Sequence, residues 1–308
     1  MLILIAGITG NIGVKLLSAL TQRGHAVRGL SRSKDKLSEK DLQSLEGFYE
    51  LSSWYDVDAI RKSLRGVDAV VCAYSPVPVL ALDAQVLLVR IMEEEGVTRF
   101  IPSTWNADWS VLHWGDVPYY DLFLALQRQI AMSTTIEPIY IFVGIFHEVF
   151  FSKPGHGGFG PDSHGVWDPN GPVKRAEVWG TGDEKWQLTT EEDCAEFTAE
   201  LLVDLSKKAG YYRFCSGEYS SREIANIYAQ ERGVQVNLDF KGSIEQLRAT
   251  AEKAKREMGL GRFFEWGGYY FQLIQLDGTV YMERLDLKLY PWLKRTSLVE
   301  FLREHQEV

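Results

Sequence analysis

Three glycines near the start of the chain have the type and spacing needed to hold a phosphate. Gly7, Gly10 and Gly13 follow a short apolar run and precede a segment whose apolar residues recur at helical spacing. A turn without side chains lets a pyrophosphate approach the backbone, and the free N–H groups of the following helix then face it. An ordinary strand–helix turn is the alternative. We predict a dinucleotide site whose phosphate contacts are Gly7, Thr9, Gly10, Asn11, Ile12 and Gly13.

A basic segment indicates which dinucleotide binds. An NAD site usually carries a carboxylate about 20 residues past the glycines, where it holds the ribose hydroxyls. Here the segment reads Ser31-Arg32-Ser33-Lys34, with Lys36 close by. A guanidinium suits a 2′-phosphate because it donates to two oxygens at once, whereas the alternative is a solvated basic loop. We therefore predict NADP(H), held by Arg32 and Lys36.

Two further apolar runs end in residues that belong at the same ligand crevice. Residues 67–73 and 97–102 have the pattern of central parallel strands, which are apolar on both faces. The carboxyl ends of such strands face the crevice in which the ligand binds. The predicted contacts to the cofactor ribose and nicotinamide are Tyr74, Ser75, Pro76 and Ser103.

The order of the apolar runs along the chain predicts the fold. Strand patterns alternate with helical patterns, which predicts an α/β protein with a doubly wound, parallel, Rossmann-like sheet. Residues 1–150 form the predicted NADP(H)-binding domain and residues 151–308 a smaller C-terminal α/β substrate lobe. Part of the chain, around 178–205, is expected to return to the first domain.

Local signals organise the second half of the chain. A stretch rich in Gly and Pro, 153–172, predicts an irregular loop over the cleft. Short strands are predicted near Val178 and over 211–215, both in the smaller lobe. Capping boxes, Ser or Thr followed three residues later by Glu or Gln, predict helix starts at four positions. They are Thr189, Ser220, Ser243 and Ser297.

Composition excludes several classes of function. The chain has 308 residues and a formal net charge of −9, with no basic block, which argues against a nucleic-acid partner. No apolar run is long enough to span a membrane or to form a signal-peptide core. Three widely spaced cysteines and histidines without ligand spacing predict a cytosolic protein with no disulfide and no metal site. The partner is then a small molecule, and the oligomeric state is left open.

Several segments resemble one family. Arg99-Phe100-Ile101-Pro102-Ser103 is similar to the R-F-I-P-S signature of NmrA-like and isoflavone-reductase-like proteins, an atypical branch of the short-chain dehydrogenases/reductases. Weaker resemblances are Trp179-Gly180-Thr181-Gly182 with Glu192-Asp193, and the tail from Tyr290 to Leu302. The family's acidic residue after the signature is displaced here, while its aromatic residue is kept as Trp105. The resemblance implies a Rossmann-like NADP(H)-dependent reductase of fungal secondary metabolism.

The residue expected to donate a proton is missing. In the isoflavone-reductase-like branch a lysine on one helix serves as the acid–base group, and by the family pattern its position falls near Leu124. No lysine occurs between Lys62 and Lys153. Three readings remain: another acid, a substrate that needs no proton, or a dinucleotide-binding regulator like NmrA without chemistry. The candidate acids are Tyr119, Tyr120, Asp121 and Asp108, of which Tyr120, Asp121 and Asp108 are the catalytic prediction.

Aromatic residues crowd the expected cleft, as a large, flat, apolar ligand requires. The predicted substrate contacts are Trp105, Tyr119, Leu124 and His147, although many of the aromatic residues are expected to be core. We predict an NADP(H)-dependent reductase of a bulky aromatic or polycyclic molecule. An iminium-containing, alkaloid-like substrate fits the missing lysine, and by resemblance a ring-forming cycloaddition of the Diels–Alder type can follow. The competing hypothesis is a catalytically inactive, NADP-sensing regulator.

Overall fold

A seven-stranded parallel sheet forms the centre of the molecule. The structure, a computed structural model, describes residues 1–157, 159, 164–170 and 173–308. Numbered along the chain, the strands of this sheet are β1 Leu2–Ala6, β2 Ala26–Ser31, β3 Gly47–Glu50, β4 Ala69–Cys72, β5 Arg99–Ile101, β6 Glu137–Phe142 and β11 Gly210–Arg213. They lie in the order β3–β2–β1–β4–β5–β6–β11, and neighbours run parallel. The predicted doubly wound, Rossmann-like sheet is confirmed.

Helices cover both faces of this sheet because its strands are apolar on both sides. The helices of this part are α1 Asn11–Gln22, α2 Glu39–Ser44, α3 Val57–Leu64, α4 Ala84–Glu94, α5 Asp121–Ala131, α6 His147–Phe150 and α7 Glu191–Val203. Alternate side chains of β1 point to opposite faces. Ile3 and Ile5 pack with residues of α1 and α7, whereas Leu4 packs with α3, α4 and α5. The sheet is therefore enclosed, and its carboxyl edge is left as the place for a ligand.

The arginine of the R-F-I-P-S segment joins the sheet to α7. Arg99 is buried, and its guanidinium donates to the carbonyl oxygens of Leu201, Leu202, Asp204 and Lys207 at 2.6 to 3.0 Å. Leu201, Leu202 and Asp204 lie at the end of α7, where carbonyls lack intrahelical partners and a cation interacts favourably with the helix dipole. The arginine of the signature thus fixes α7 against β5.

In the rest of the described chain, two small sheets pack with four further α-helices. One sheet holds β7 Ile145–Phe146, β10 Lys185–Thr189 and β12 Gly217–Ser220, and the other holds β8 Trp167–Asp168, β9 Lys174–Trp179 and β13 Val236–Gly242. The helices are α8 Ser221–Arg232, α9 Ile244–Met258, α10 Phe263–Leu276 and α11 Leu298–Glu304. The prediction that 211–215 belongs to the smaller lobe is wrong. This segment forms β11, because its backbone completes the ladder along the free edge of β6.

Three of the four predicted capping boxes are confirmed, namely those at Ser220, Ser243 and Ser297. The fourth is wrong by one residue, because Thr190, not Thr189, caps α7 and accepts the N–H of Asp193 at 3.0 Å. Thr189 is the last residue of β10, and its hydroxyl donates to the carbonyl of Val143 at 2.6 Å. A threonine whose hydroxyl is engaged in the sheet leaves the cap to its neighbour.

The structure describes only part of the loop predicted over 153–172. Residues 158, 160–163 and 171–172 lie outside the described residues, and β8 lies between them. In the part of the chain that the structure describes, no helix is long and apolar enough to cross a membrane. The same part brings no three metal-ligating side chains together. Cys72, Cys194 and Cys215 are buried and free.

Candidate cofactor and active site

The three glycines of the first turn differ in what demands a glycine. Gly7 has φ +87°, and a Cβ there would lie 2.5 Å from the carbonyl oxygen of Ala73. A Cβ on Gly13 would lie 2.5 Å from the carbonyl oxygen of Gly7. Gly10 has extended backbone angles, and the nearest protein atoms to its Cβ position are ordinary contacts at 3.4 and 3.5 Å. Packing accounts for Gly7 and Gly13, whereas Gly10 leaves open space beside the turn.

The start of α1 leaves its backbone N–H groups available to an anion. Gly10 is the N-cap and offers no side-chain cap, and the first turn carries no acidic residue. The free N–H groups of such a helix end act together as about half a positive charge. The hydroxyls of Thr9 and Ser31 lie 2.7 Å apart, which ties the glycine turn to the end of β2. The predicted set of phosphate contacts therefore surrounds one helix N-terminus.

A distant segment covers this turn. The side-chain amide of Asn11 donates to the carbonyl of Gly155 at 3.1 Å, and its nitrogen lies 2.9 Å from Nδ1 of His156. The same ring nitrogen lies 2.9 Å from the carboxylate of Glu191, to which Lys15 forms an ion pair at 3.3 Å. His156 is not among the predicted site residues, because its partners lie far along the chain and no local pattern signals the contact.

A buried carboxyl lies behind this cluster. Glu148 on α6 is only 2 % exposed, and its carboxylate oxygens accept the backbone N–H of Glu191 at 3.2 Å. Burial raises the pKa of Glu148 to about 7, and the charge of Glu191 adds to this effect. The charged groups that act on it are the carboxylate of Glu191 and the ammonium of Lys15, while the ring of His156 contacts Glu191. Between pH 4.5 and about pH 7 the folded protein therefore keeps a proton on Glu148 that the unfolded chain releases.

The pH dependence of stability is expected to report this proton. Because the pKa of Glu148 is raised from 4.5 to about 7, folding loses free energy as the pH rises through this interval, about 3 kcal/mol in all. Glu148→Gln is expected to remove this loss, so that urea midpoints measured from pH 5 to pH 8 fall less than in the wild type. The exposed neighbour substitution Glu192→Gln is the control. An unchanged slope in Glu148→Gln would contradict the assignment.

The predicted 2′-phosphate residues lie at the end of β2. Arg32 is exposed, and its guanidinium stacks on the ring of Trp54. Lys36 is exposed on the same loop. No carboxylate in the described ranges pairs with Arg32. An unpaired cation at this point suits an added phosphate, as the sequence predicts.

The residues after β4 and β5 are linked to each other. The hydroxyl of Ser103 donates to the carbonyl of Tyr74 at 2.7 Å, and its backbone N–H donates to the buried side chain of Gln85 at 2.8 Å. Ser75 and Pro76 are exposed, and the carbonyl of Pro76 accepts the hydroxyl of Tyr119 at 3.2 Å. The carboxyl edge of the sheet thus brings together the four residues predicted at the ribose and nicotinamide.

The two tyrosines at the start of α5 keep their protons. Tyr119 and Tyr120 are buried, and burial raises the pKa of both well above the ordinary value of a phenol. The hydroxyl of Tyr120 donates to the side-chain oxygen of Asn106 at 2.5 Å. A tyrosine acid near neutral pH needs the opposite shift, which the reductases obtain from a neighbouring lysine. The described residues supply hydrogen-bond donors here, and none of them lowers the pKa of Tyr119 or Tyr120.

The two aspartates predicted as acids have structural partners. Asp108 is buried, forms an ion pair with Arg213 at 2.6 Å and caps the turn at Ser110. Asp121 is the first residue of α5 and accepts the N–H of Gly115 at 2.8 Å. These contacts hold a loop to β11 and a turn to α5. The catalytic assignment of Tyr120, Asp121 and Asp108 stays a prediction.

The predicted substrate wall is only partly assembled. The ring of Tyr119 meets those of Phe263 and Phe271, with centroids 6.2 and 5.5 Å apart, at the face of the sheet that α5 covers. Leu124 is half-buried against the same cluster. Trp105 instead packs on the opposite face, where its indole N–H donates to Thr198 at 3.1 Å. The two phenylalanines of α10 were missed, because no nearby pattern relates them to the first domain.

His147 lies apart from this wall. Its ring is fully buried, with the ring of Phe301 at a centroid distance of 4.8 Å. Burial lowers the pKa of His147 to about 4, so that the ring is neutral at physiological pH. Among the described residues, the ring makes no ring contact with Tyr119, Phe263 or Phe271. Its predicted contact with substrate stays a prediction.

The parallel sheet, with its glycine turn and open carboxyl edge, defines an α/β protein of the Rossmann type. The model of the NmrA-like family matches residues 1–302. The chain belongs to the NmrA-like family, as the R-F-I-P-S segment and the glycine spacing indicate.

Curated relatives match nearly the whole chain in sequence, and solved structures share its fold. The chain is 25% identical over 318 residues to pinoresinol reductase 2 of Arabidopsis thaliana, covering 98% of this chain and 96% of the relative. It is 27% identical over 324 residues to a bifunctional pinoresinol-lariciresinol reductase of Linum perenne, covering 98% of each. A ternary complex of leucoanthocyanidin reductase from Vitis vinifera superposes with a TM-score of 0.78 at 19% identity over 100% of both chains. AtPrR2 with NADP+ and (+)pinoresinol gives 0.75 at 21% identity, covering 98% of this chain and 97% of the other.

Proposed function

We propose that this protein is an NADP(H)-dependent reductase of a bulky aromatic small molecule. The observation that carries the proposal is the meeting of three features at one sheet edge. They are the uncapped start of α1, the unpaired guanidinium of Arg32 and the aromatic cluster around Tyr119. The first two suit a dinucleotide with a 2′-phosphate, and the third suits a flat apolar substrate. The cofactor and aromatic ligand named for AtPrR2 support the same reading.

We further propose that the substrate carries its own positive charge. Hydride addition to a ketone leaves an alkoxide that needs an acid or an oxyanion donor. Hydride addition to an iminium carbon instead neutralises the cation and yields a neutral amine, so that no proton is required. Leu124 stands near the position of the family's lysine, and the tyrosines beside it have raised pKa values. An alkaloid-like iminium fits this site, with cyclisation after reduction as a further step.

The setting of the reaction is also a proposal. Secondary metabolism, of the fungal kind that the family resemblance implies, supplies polycyclic amines of this class. Three buried, free cysteines suit a reducing compartment such as the cytosol.

One observation favours a regulator as the second candidate. The rings of Tyr119, Phe263 and Phe271 pack on one another, so that a bulky substrate has to separate them. Tyr119 is only 7% exposed. A protein that binds the dinucleotide and controls a partner needs no space at this point.

Turnover distinguishes the two candidates. We expect the purified protein to bind NADPH and to oxidise it in the presence of bulky aromatic imines, followed by NADPH absorbance and product mass. A regulator would bind NADPH, leave every substrate class unchanged and alter its association with a protein partner on binding. Failure to bind NADPH would overturn both candidates.

A further inference from the structure

One guanidinium and two aromatic rings form a column across the ends of three strands. The guanidinium carbon of Arg32 lies 4.4 Å from the centroid of the Trp54 ring. The Trp54 ring in turn meets the ring of Tyr74 edge to face, with centroids 5.3 Å apart. Arg32 follows β2, Trp54 follows β3 and Tyr74 follows β4. The half-buried indole therefore links the predicted 2′-phosphate residue to the edge where the ribose is expected.

Stacking on the indole holds Arg32 without using its hydrogen bonds. A cation over the face of Trp is attracted by the ring quadrupole, and a stacked guanidinium keeps its N–H groups around its rim. Arg32 makes no hydrogen bond or ion pair with the described part of the chain. Its donors thus remain free for an anion, while the side chain has lost part of the freedom that a solvated arginine has. This is preorganisation of the cation for a phosphate.

We propose that Trp54 is a positioning residue that sets the preference for NADP(H) over NAD(H) by holding Arg32 over the site of the 2′-phosphate. The inference rests on the proposed NADP(H) binding and adds to it a residue that the basic segment does not contain. Nothing in the local sequence around Trp54 signals this role, because the residue lies 22 positions from its partner and carries no charge. The effect is confined to the phosphorylated cofactor, since NAD(H) offers Arg32 no anion at this position.

Matched variants separate this role from a general one. Trp54→Leu removes the aromatic face, Trp54→Phe keeps a ring, and Arg32→Gln removes the charge. Dissociation constants of NADPH and NADH are measured for each variant and for Trp54→Leu/Arg32→Gln, with 2′,5′-ADP and 5′-ADP as fragment probes. Thermal unfolding of each variant confirms that it is folded before it is compared.

We expect Trp54→Leu to weaken NADPH and 2′,5′-ADP by about fivefold and to leave NADH and 5′-ADP unchanged. Trp54→Phe should retain most of the preference. Arg32→Gln should weaken NADPH by about 30-fold, and adding Trp54→Leu to it should have no further effect, because the indole acts through the guanidinium.

Three other outcomes would contradict either the role of Trp54 or the proposed function. Equal weakening of NADPH and NADH in Trp54→Leu would make the indole an adenine platform or a structural residue, and the inference would be wrong. An unchanged preference in Trp54→Leu would overturn it as well, while the proposed function would stand. A wild-type protein that binds neither dinucleotide would overturn the proposed function itself, and the inference with it.

Discussion

Replacing Gly10 by valine is expected to abolish NADP(H) binding while the protein stays folded. The position caps α1 with extended backbone angles, φ −82° and ψ 165°, which a β-branched residue adopts readily. Its Cβ would meet protein atoms only at ordinary contact distances. The valine methyl groups would instead occupy the space in front of the free N–H groups, where the pyrophosphate has to lie. We expect the dissociation constant for NADPH to rise by about 100-fold or more, as measured by titration of NADPH fluorescence.

The neighbouring glycines provide the contrast. Gly13→Ala would bring a methyl group within 2.5 Å of a backbone oxygen and should lower the free energy of unfolding by about 1–3 kcal/mol. Gly10→Val should lower it by about 1 kcal/mol at most, since the helix loses only a favourable cap residue. Retained NADPH affinity in Gly10→Val, with the unfolding curve unchanged, would mean that the cofactor lies elsewhere on the protein.

The elements that local sequence patterns predict are those with short-range causes. A five-residue apolar run followed by glycines at fixed spacing specifies β1 and α1, because the turn and the helix start are decided within a dozen residues. Three capping boxes were predicted correctly for the same reason, since the side chain and backbone that pair are three positions apart. The fourth failed because the hydroxyl of Thr189 has a partner, Val143, that no local pattern reveals.

The parts of the site that sequence reasoning missed depend on long-range pairs. Asn11 and His156 meet across 145 positions, and Asp108 meets Arg213 across 105. The residue types alone made Asp108 a candidate acid, whereas the fold gives its carboxylate a guanidinium. Trp105 shows the same limit, since a strand end permits either face of the sheet and tertiary packing chose the face under α7.

The position of Leu124 sets the second large prediction. Its backbone N–H donates to the carbonyl of Tyr120 at 3.0 Å, so the two residues lie one turn apart on the same side of α5. Its side chain is half-buried against the cluster that contains Tyr119. A lysine here has a long stem that can follow this apolar surface and carry its ammonium to the cleft. Leu124→Lys therefore places a positive charge where the family resemblance predicts the lysine.

We expect the wild type to reduce an iminium substrate and to leave a matched neutral ketone or enone unchanged. In Leu124→Lys the iminium rate should fall by about tenfold or more, because two positive charges in a partly dry cleft repel more strongly than in water. Ketone reduction should become measurable, since the ammonium can stabilise or protonate the alkoxide. Leu124→Met controls for volume, and Leu122→Lys, which places the same charge two residues away on α5, controls for charge. Steady-state rates with NADPH for each substrate decide the matter. If the wild type reduces the ketone or enone and not the iminium, the proposal of a cationic substrate is wrong. One of the tyrosines or aspartates then serves as the acid.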